Sequence, residues 1–144
     1  ATPRGVFGDS SVDLVRWIDT RRHRAVAQAQ FDAHGYRREL IEHGEGFELY
    51  LLTWLPGQAT SIHDHGIAVT ACEVLRGALL EERFTRDGAF VRKVSDEIAR
   101  PGMVDVHGAD IIHRVTALEP TVSLLVYLPG AGAYATFSEL EAAA

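Results

Sequence analysis

The chain has 144 residues, of which 47% are hydrophobic and 24% charged, as expected for one soluble globular domain with a substantial core. Its formal net charge of −6 argues against nucleic acid or an anionic membrane as a partner, since both require a basic surface. No apolar run reaches membrane-spanning length and the N-terminus lacks the layout of a secretory signal, so we expect a cytoplasmic protein. The lone cysteine, Cys72, excludes an internal disulfide and fits a reducing compartment.

The N-terminal part is predicted to be an arm followed by a helix. Residues 1–9 form the arm, and Ser10 or Ser11 is a suitable N-cap for a helix that extends to about Phe31. A partial apolar face supports this helix and consists of Val12, Val15, Trp17 and Ile18. The segment RRHRAVAQAQ either continues the helix or begins a second one. We assign residues 1–34 to an arm and helical segment that packs on a barrel formed by residues 35–144.

After Gly35 the hydrophobic pattern has period two, which predicts strands. The segments YRRELIEH and FELYLLTWL form a hairpin around the turn Gly44-Glu45-Gly46. Further strands follow between turn signals: TSIHDHG, IAVTACEVL, ALLEERFTR, AFVRKVSDEI, MVDVH, IIHRVTAL and TVSLLVYL. Short strands at even spacing predict an all-β barrel or sandwich with an N-terminal helix. The C-terminal SELEAAA is predicted to form a last helical turn.

Three histidines of this β-rich region are candidate metal ligands. His63 and His65 lie two positions apart in an apolar run, and residues i and i+2 of a strand point to the same face. Imidazole suits zinc, iron, copper and nickel alike. His113, in another predicted strand, is the best third donor, and a small barrel can bring such distant strands around one cavity. The alternative is His107, which we place at a strand end beside a turn.

The sequence offers no carboxylate ligand at the expected spacing. Val69 and Thr70 occupy the positions four and five residues after His65, and Glu73 lies too far along. Strand parity turns Asp64 to the opposite face, so we assign it to orienting the loop or to a hydrogen bond behind a ligand. Three neutral imidazoles would leave the metal its full charge and three open positions. This arrangement favours an anionic ligand such as a thiolate and leaves room for dioxygen.

An ordered set of motifs from Tyr36 to Tyr127 resembles the cupin-fold thiol dioxygenases, specifically bacterial cysteine dioxygenase. The matching pieces are Tyr36-Arg37-Arg38, Trp54, SIHDH around His63, LRG before the next strand, HRV at His113 and EPTVSLLVY ending at Tyr127. The resemblance implies a small cupin barrel, that is, a double-stranded β-helix or jelly roll. It also implies a non-haem iron(II) enzyme that adds both atoms of dioxygen to a thiol sulfur and gives a sulfinic acid.

The resemblance further implies roles for individual residues. His63, His65 and His113 match the iron ligands. Arg38 matches the arginine that binds the substrate carboxylate, and its guanidinium can take a carboxylate in bidentate fashion. Tyr36 lies on the same strand face as Arg38 and joins it in substrate binding. Tyr127 matches the active-site tyrosine, whose phenol can hydrogen-bond bound thiolate, dioxygen or carboxylate.

Two positions depart from the family pattern. Leu125 stands between Ser123 and Tyr127 where the family has a histidine, so a hydrogen bond that would hold the tyrosine is lost. Thr70 stands where animal enzymes have the cysteine that crosslinks to the tyrosine, and Cys72 lies two residues further on. We therefore expect no thioether crosslink, and we interpret Cys72 as a small buried apolar residue.

The resulting hypothesis is a thiol dioxygenase that uses Fe(2+) and dioxygen on a small carboxylate-bearing thiol, with L-cysteine as the first choice of substrate. The close alternative is 3-mercaptopropionate or another mercapto-acid. Leu125 also leaves open a non-enzymatic cupin that binds a metal or a small ligand. A zinc hydrolase or lyase with three histidines is a third hypothesis, because such a donor set also describes catalytic zinc. The sequence does not define the oligomeric state and is compatible with a monomer.

Overall fold

The computed structural model describes residues 16–18, 20–132 and 134–140, and the predicted arm and helix start at residues 1–11 lie outside these ranges. Residues 16–18 have a helical backbone, and a turn at residues 20–21 separates them from helix α1, Arg22–Gln28. The segment RRHRAVAQAQ therefore begins a second helix. The prediction that helix continues to about Phe31 was wrong, because the chain is already extended at Ala29, with ψ at 126°.

Eight strands among the described residues form two antiparallel sheets. They are β1 Arg37–Gly44, β2 Phe47–Trp54, β3 Val69–Arg76, β4 Leu79–Asp87, β5 Phe90–Ala99, β6 Val104–His107, β7 Ile112–Ala117 and β8 Thr121–Leu128. The first sheet has the order β1-β2-β8-β3-β6, and the second has the order β5-β4-β7. The all-β prediction is confirmed. The first hairpin is also confirmed, as are the six strands predicted from IAVTACEVL to TVSLLVYL, which correspond to β3 to β8.

The segment that carries His63 and His65 was predicted to be a strand, and that prediction was wrong. His63 makes only isolated bridges, to His113 and Thr136, although it exchanges two backbone hydrogen bonds of 2.9 Å with His113. His65 lies in a loop, and the next residue, Gly66, has a positive φ of 59°, which a regular strand does not contain. The carboxylate of Asp64 accepts a hydrogen bond from the Gly66 backbone N–H at 3.1 Å, and such a local bond competes with strand pairing.

Strand β2 is buried on both faces and separates two parts of the core. Leu49 and Leu51 pack with Trp17 and Ile18 of the helical segment, so that segment covers the outer face of the first sheet. Tyr50, Leu52 and Trp54 of β2 point into the space between the two sheets. Ion pairs also connect the helical segment to the first sheet, because Arg21 bonds Glu42 at 2.6 Å and Arg22 bonds Glu73 at 2.9 Å. The assignment of residues 1–34 as a separate segment stays a prediction.

The C-terminal residues that the structure describes are extended. Thr136 bridges His63, and Glu139 pairs with Val91 of β5. The predicted last helical turn is therefore absent from Ser138–Leu140, and residues 141–144 lie outside the described part of the chain. Pairing with β5 satisfies backbone groups that a single exposed helical turn would leave to water. This segment lies directly beside the histidine loop.

Within residues 16–18, 20–132 and 134–140, no helix combines the length and the apolar character needed to cross a membrane.

An ion pair between β4 and β7 gives the fold a testable pH dependence. Arg114 donates two hydrogen bonds to Glu82, at 2.9 and 3.2 Å, and these bonds lower the pKa of Glu82. A carboxylate with a depressed folded-state pKa contributes stability above its unfolded pKa, and the contribution is lost as the pH falls through its folded pKa. Glu82→Gln should therefore lower the free energy of unfolding by about 1 kcal/mol at pH 7 and by less at pH 3. Urea titrations at both pH values measure this, with Glu45→Gln in the exposed hairpin turn as control. A difference that stays constant between the two pH values would contradict the assignment.

Candidate metal centre

The rings of His63, His65 and His113 meet between the sheets. Their centroids lie 5.1 Å apart for His63 and His65, and 4.8 Å apart for each of the other two pairs. The Nε2 atoms of His65 and His113 are 3.2 Å apart, and one donor nitrogen of each ring lies within 4.8 Å of the other two. The structure thus brings the three predicted ligands together. His113 lies on strand β7, His63 forms an isolated bridge to it, and His65 follows in a tight loop.

The outer nitrogens of two rings fix which nitrogen faces the centre. Nδ1 of His63 lies 2.8 Å from the Ser61 carbonyl oxygen, and Nδ1 of His113 lies 3.2 Å from the Glu81 carboxylate. A carbonyl accepts only, and so does an ionised carboxylate, so both Nδ1 atoms carry the proton and both Nε2 atoms present a lone pair. The Nδ1 atom of His65 contacts the Thr70 hydroxyl at 3.3 Å. Such outer hydrogen bonds are typical of metal-binding histidines.

His63 and His65 are held in the neutral form that binds metals. Burial and, to a smaller extent, the neighbouring rings of His113 and His63 lower the pKa of His65 to about 3. Burial also lowers the pKa of His63, against the hydrogen bond to Ser61. Neutral imidazole is the ligand form, because a metal needs the lone pair that a proton would occupy. One nitrogen of each of the three rings lies close enough to the other two to bind one cation, so this donor set fits a metal ion.

A second group of candidate donors lies behind the first. It consists of Glu81, His107 and His113, whose donor atoms also lie within 4.8 Å of one another. His107, the alternative third ligand of the sequence analysis, does end β6, but it is buried and its Nε2 contacts Arg83 Nη2 at 3.2 Å. A guanidinium only donates, so this contact occupies the His107 lone pair. The positive charge of Arg83 also disfavours a cation here, and the first group is the better metal site.

Glu81 was not predicted as a site residue. It shares a face of β4 with the buried residue Leu79 and is itself only 4% exposed. A carboxylate on the buried face of a strand must find a partner, because an unpaired buried charge is costly. The signal in the sequence was therefore a glutamate at an apolar position of the period-two pattern. Its partner could not be identified there, since His113 is 32 residues away.

Asp64 orients the histidine loop, as predicted. Its carboxylate accepts hydrogen bonds from the backbone N–H groups of Gly66, at 3.1 Å, and Ala135, at 2.9 Å. Burial alone would raise the pKa of Asp64, but these two bonds outweigh it and lower the pKa. The Phe137 N–H also donates to the Ile62 carbonyl at 3.0 Å. The histidine loop is therefore connected at two points to the segment of residues 134–140.

A pocket opens beside the histidines and contains the predicted substrate-binding residues. Its outer part has a volume of about 370 Å³, and Tyr36, Arg38, Tyr127 and Tyr134 line it together with His63. An inner part of about 80 Å³ continues past the histidines between the sheets, where its walls are mostly apolar and include Leu52, Leu79, Val115 and Leu125. A small molecule can thus reach the imidazole nitrogens and the guanidinium at the same time.

Arg38 faces this pocket from β1. Its guanidinium carbon lies 3.7 Å from the centre of the Tyr50 ring and 5.4 Å from that of Tyr127, so two aromatic rings support the cation. No carboxylate of the described residues is paired with Arg38, whereas Arg37 on the opposite strand face contacts Glu39 at 3.7 Å. Tyr36 stacks on Trp54 with ring centroids 4.6 Å apart. Strand parity predicted this common orientation of Tyr36 and Arg38.

Tyr127 reaches the histidines from β8. Its ring centroid lies 5.8 Å from that of His65. Burial raises the pKa of Tyr127, and the charge and hydrogen bond of Arg38 only partly oppose this, so the phenol keeps its proton at neutral pH. The residue opposite Tyr127 on β3 is Thr70, while Cys72 lies opposite Leu125. Thr70, and not Cys72, is therefore the direct cross-strand neighbour of Tyr127, and the absence of a thioether crosslink stays a prediction.

Ser123 and Cys72 have surroundings that differ from those of a catalytic pair. The Ser123 hydroxyl accepts a hydrogen bond from the Trp54 indole at 3.1 Å. Burial raises the pKa of the Cys72 thiol to about 12, and the nearby carboxylate of Asp105 contributes to the increase. A thiol with this pKa is protonated at neutral pH and is a poor nucleophile. Both residues therefore act as parts of the inner pocket wall.

Two packed antiparallel sheets with a histidine cluster between them define a small cupin barrel with a candidate metal centre, and solved structures agree. A double-stranded β-helix protein from Klebsiella pneumoniae has a TM-score of 0.66 and 14% identity, covering 80% of this chain and 89% of its own. An RmlC-like cupin protein from Desulfovibrio desulfuricans has a TM-score of 0.56 and 27% identity, covering 71% of this chain and 90% of its own. The predicted cupin fold is confirmed.

The sequence comparisons identify the family within this class. The profile of the cysteine dioxygenase type I family matches residues 11–140. Human cysteine dioxygenase type 1 is 33% identical over 110 residues, which are 70% of this chain and 54% of the human protein. The chain belongs to the cysteine dioxygenase type I family, and it spans about half the length of the curated relatives it matches.

Proposed function

We propose that this chain is an iron(II) thiol dioxygenase that converts a small carboxylate-bearing thiol, with L-cysteine as the first choice, into its sulfinic acid. The observation that carries the proposal is the convergence of three imidazole nitrogens beside a pocket into which Arg38 also points. Membership of the cysteine dioxygenase type I family supports it. The reaction joins one thiol and one dioxygen: both oxygen atoms bond to sulfur, which loses the four electrons that dioxygen gains, so no further reductant is needed.

His63, His65 and His113 would hold the iron through their Nε2 atoms. When bound, ferrous iron supplies the electron-transfer chemistry through which dioxygen can react with a thiol sulfur. The three imidazoles are uncharged, so the donor set does not repel an incoming thiolate. Burial of His65 and His113, at 5% and 6% exposure, keeps bulk water away from the reacting sulfur.

Arg38 would bind the substrate carboxylate and so fix which end of the thiol enters. Its stacking on Tyr50 leaves the donor edge of the guanidinium available to the pocket, where it can form two parallel hydrogen bonds with a carboxylate. Tyr50 is itself held, because its hydroxyl donates to Glu48 at 2.8 Å. With the carboxylate bound there, the thiol end of a short substrate extends toward the histidines.

Tyr127 would donate a hydrogen bond to charge that develops on the reacting oxygen or sulfur. A hydrogen bond to a charged group contributes about 1.5–3 kcal/mol, so Tyr127→Phe should lower kcat about 10-fold to 100-fold. Oxygen-electrode kinetics with saturating thiol measure the effect. Tyr134→Phe is the matched control, because Tyr134 lines the same outer pocket but is 64% exposed. Equal kcat values for Tyr127→Phe and the unmodified protein would remove Tyr127 from the reaction.

Oxygen uptake with a panel of thiols tests the proposal itself. Iron-loaded protein should consume one dioxygen per cysteine and give a product that carries two oxygen atoms from ¹⁸O₂. A higher kcat/KM with 3-mercaptopropionate would identify that mercapto-acid as the preferred substrate. Bound iron without oxygen uptake for any small thiol would instead support a non-enzymatic cupin, and zinc without iron would support a hydrolase or lyase. The cytoplasmic location and the monomeric state stay predictions.

A further inference from the structure

The buried carboxylate of Glu81 connects the candidate metal centre to the charged cluster behind it. Its Oε1 atom lies 3.2 Å from Nδ1 of His113, 3.3 Å from Nε2 of His107 and 3.3 Å from Nε of Arg83. Glu81 is 4% exposed, and the ring of His113 stands between it and the inward-facing Nε2 atoms. Glu81 therefore contacts a proposed ligand without being one itself.

We propose that Glu81 is a positioning residue of the metal centre: it fixes the orientation and tautomer of His113 and strengthens this imidazole as a donor. The inference rests on the proposed function for the role of the three histidines. It goes beyond that function because it places the negative charge of the Glu81 carboxylate next to three imidazole ligands that carry no charge themselves. A histidine whose outer N–H is bonded to a carboxylate is a more basic ligand than one bonded to water.

The surroundings of Glu81 keep its carboxylate aimed at His113. Glu81 and Arg83 lie two residues apart on β4, and Arg83 is directly opposite His113 in the pairing of β4 with β7. Arg83 donates to Glu81 through Nε and to His107 through Nη2. Arg83 therefore holds the Glu81 carboxylate in place, and His107 contacts the same carboxylate oxygen. A buried carboxylate with such partners stays ionised and well ordered.

The charge of Glu81 acts over a short distance in a poorly solvated region. It is one hydrogen bond away from the His113 ring, which places it close enough to stabilise a cation at Nε2. A cation bound by Glu81 itself, with His107 and the Nδ1 atom of His113, is the competing arrangement. That arrangement would require Arg83 to leave both of its partners.

Two variants of Glu81 separate the effects of charge and shape. Glu81→Gln keeps an amide oxygen that can accept the His113 Nδ1–H bond but removes the charge. Glu81→Leu removes both the acceptor and the charge. The control is Glu97→Gln, since Glu97 is the cross-strand neighbour of Glu81 on β5 and is exposed. Circular dichroism and the unfolding midpoint of the metal-free proteins show that each variant folds.

The measurement is the affinity for Co(II), determined by competition with a chelator, together with ¹⁵N NMR of the histidine rings in the metal-free protein. Both Glu81 variants should bind Co(II) about 10-fold to 100-fold more weakly, with the leucine variant the weaker, and Glu97→Gln should bind unchanged. The His113 proton should stay on Nδ1 in the glutamine variant and lose this fixed position in the leucine variant. A purely structural role would change the unfolding midpoint without changing the position of this proton.

Unchanged Co(II) affinity in folded Glu81→Gln and Glu81→Leu would overturn the inference. It would also be overturned if His107→Ala abolished Co(II) binding while His63→Ala did not, because Glu81 would then be a ligand. Neither readout needs a thiol or dioxygen. Absence of oxygen uptake would therefore end the proposed function, while weaker metal binding in the variants would still support the role of Glu81.

Discussion

His63→Ala is expected to weaken Fe(II) binding by about 1000-fold or more, on the order of 4 kcal/mol, and to abolish oxygen uptake with cysteine. Loss of one of three neutral ligands removes a direct metal–nitrogen bond that water replaces poorly. His63 is the informative choice because it belongs to only one of the two histidine-containing groups of candidate donors, whereas His113 belongs to both. Iron stoichiometry after gel filtration and a chelator competition measure the loss.

His107→Ala is the matched comparison for this prediction. His107 belongs only to the group with Glu81, so its loss should leave iron bound and part of the oxygen uptake intact. His43→Ala, at an exposed position of β1, controls for the loss of any imidazole. The opposite result, with iron lost from His107→Ala and retained by His63→Ala, would place the metal in the second group.

Arg38→Ala is expected to raise KM for carboxylate-bearing thiols about 10-fold to 100-fold, with a smaller effect on kcat. The change removes charge-assisted hydrogen bonds to the carboxylate, which are worth about 1.5–3 kcal/mol. Substrate would still reach the histidines but would no longer be held by its carboxylate end. Steady-state oxygen uptake with cysteine and with 3-mercaptopropionate measures both constants.

Two controls make the Arg38 experiment specific. Arg37→Ala removes a neighbouring guanidinium that lies on the other strand face and pairs with Glu39, so its KM should be unchanged. Cysteamine has no carboxylate, and its KM should respond little to Arg38→Ala. Arg38→Lys should recover part of the affinity, because lysine keeps the charge but lacks the planar fork. An unchanged KM for cysteine in Arg38→Ala would exclude carboxylate binding by this residue.

The β-architecture was predictable because local signals agree with the tertiary fold. Alternating apolar and polar residues, with turn signals such as Asp87-Gly88 and Pro101-Gly102, predicted the strands. Strand β2 then carries different sets of buried residues on its two faces. The parity of β1 also placed Tyr36 and Arg38 on the pocket side. Predictions of this kind depend only on spacing along one strand, which the sequence contains in full.

The errors occurred where longer-range contacts override local preference. The histidine segment has an apolar, β-prone composition, but the hydrogen bond from the Ala135 N–H to the Asp64 carboxylate, across 71 residues of sequence, holds it as a loop. The tail has helix-forming residues, yet Ser138 and Leu140 bond the backbone of Val91 on β5. In both cases the partner is a backbone group whose proximity follows from the completed fold and not from neighbouring residues.

Only part of the candidate metal centre was predicted, again because some of its contacts join residues that are far apart in the sequence. Histidine spacing identified the donors, and the resemblance supplied Arg38 and Tyr127. Glu81 was missed because its partners come from β6 and β7. Because Leu125 cannot form the hydrogen bond that a histidine would give to Tyr127, the expectation was that Tyr127 is positioned in another way or that the pocket is adapted to another substrate. In the structure Arg38 lies beside the Tyr127 ring, at 5.4 Å, so one polar neighbour remains at the phenol.

Anomalous X-ray scattering at the iron edge, from crystals of iron-loaded protein, tests the central claim most directly. The account predicts one iron peak about 2 Å from the Nε2 atoms of His63, His65 and His113, the usual distance between a metal and an imidazole nitrogen. A peak between Glu81 and His107, or iron-loaded crystals in which the three rings hold no iron, would contradict it.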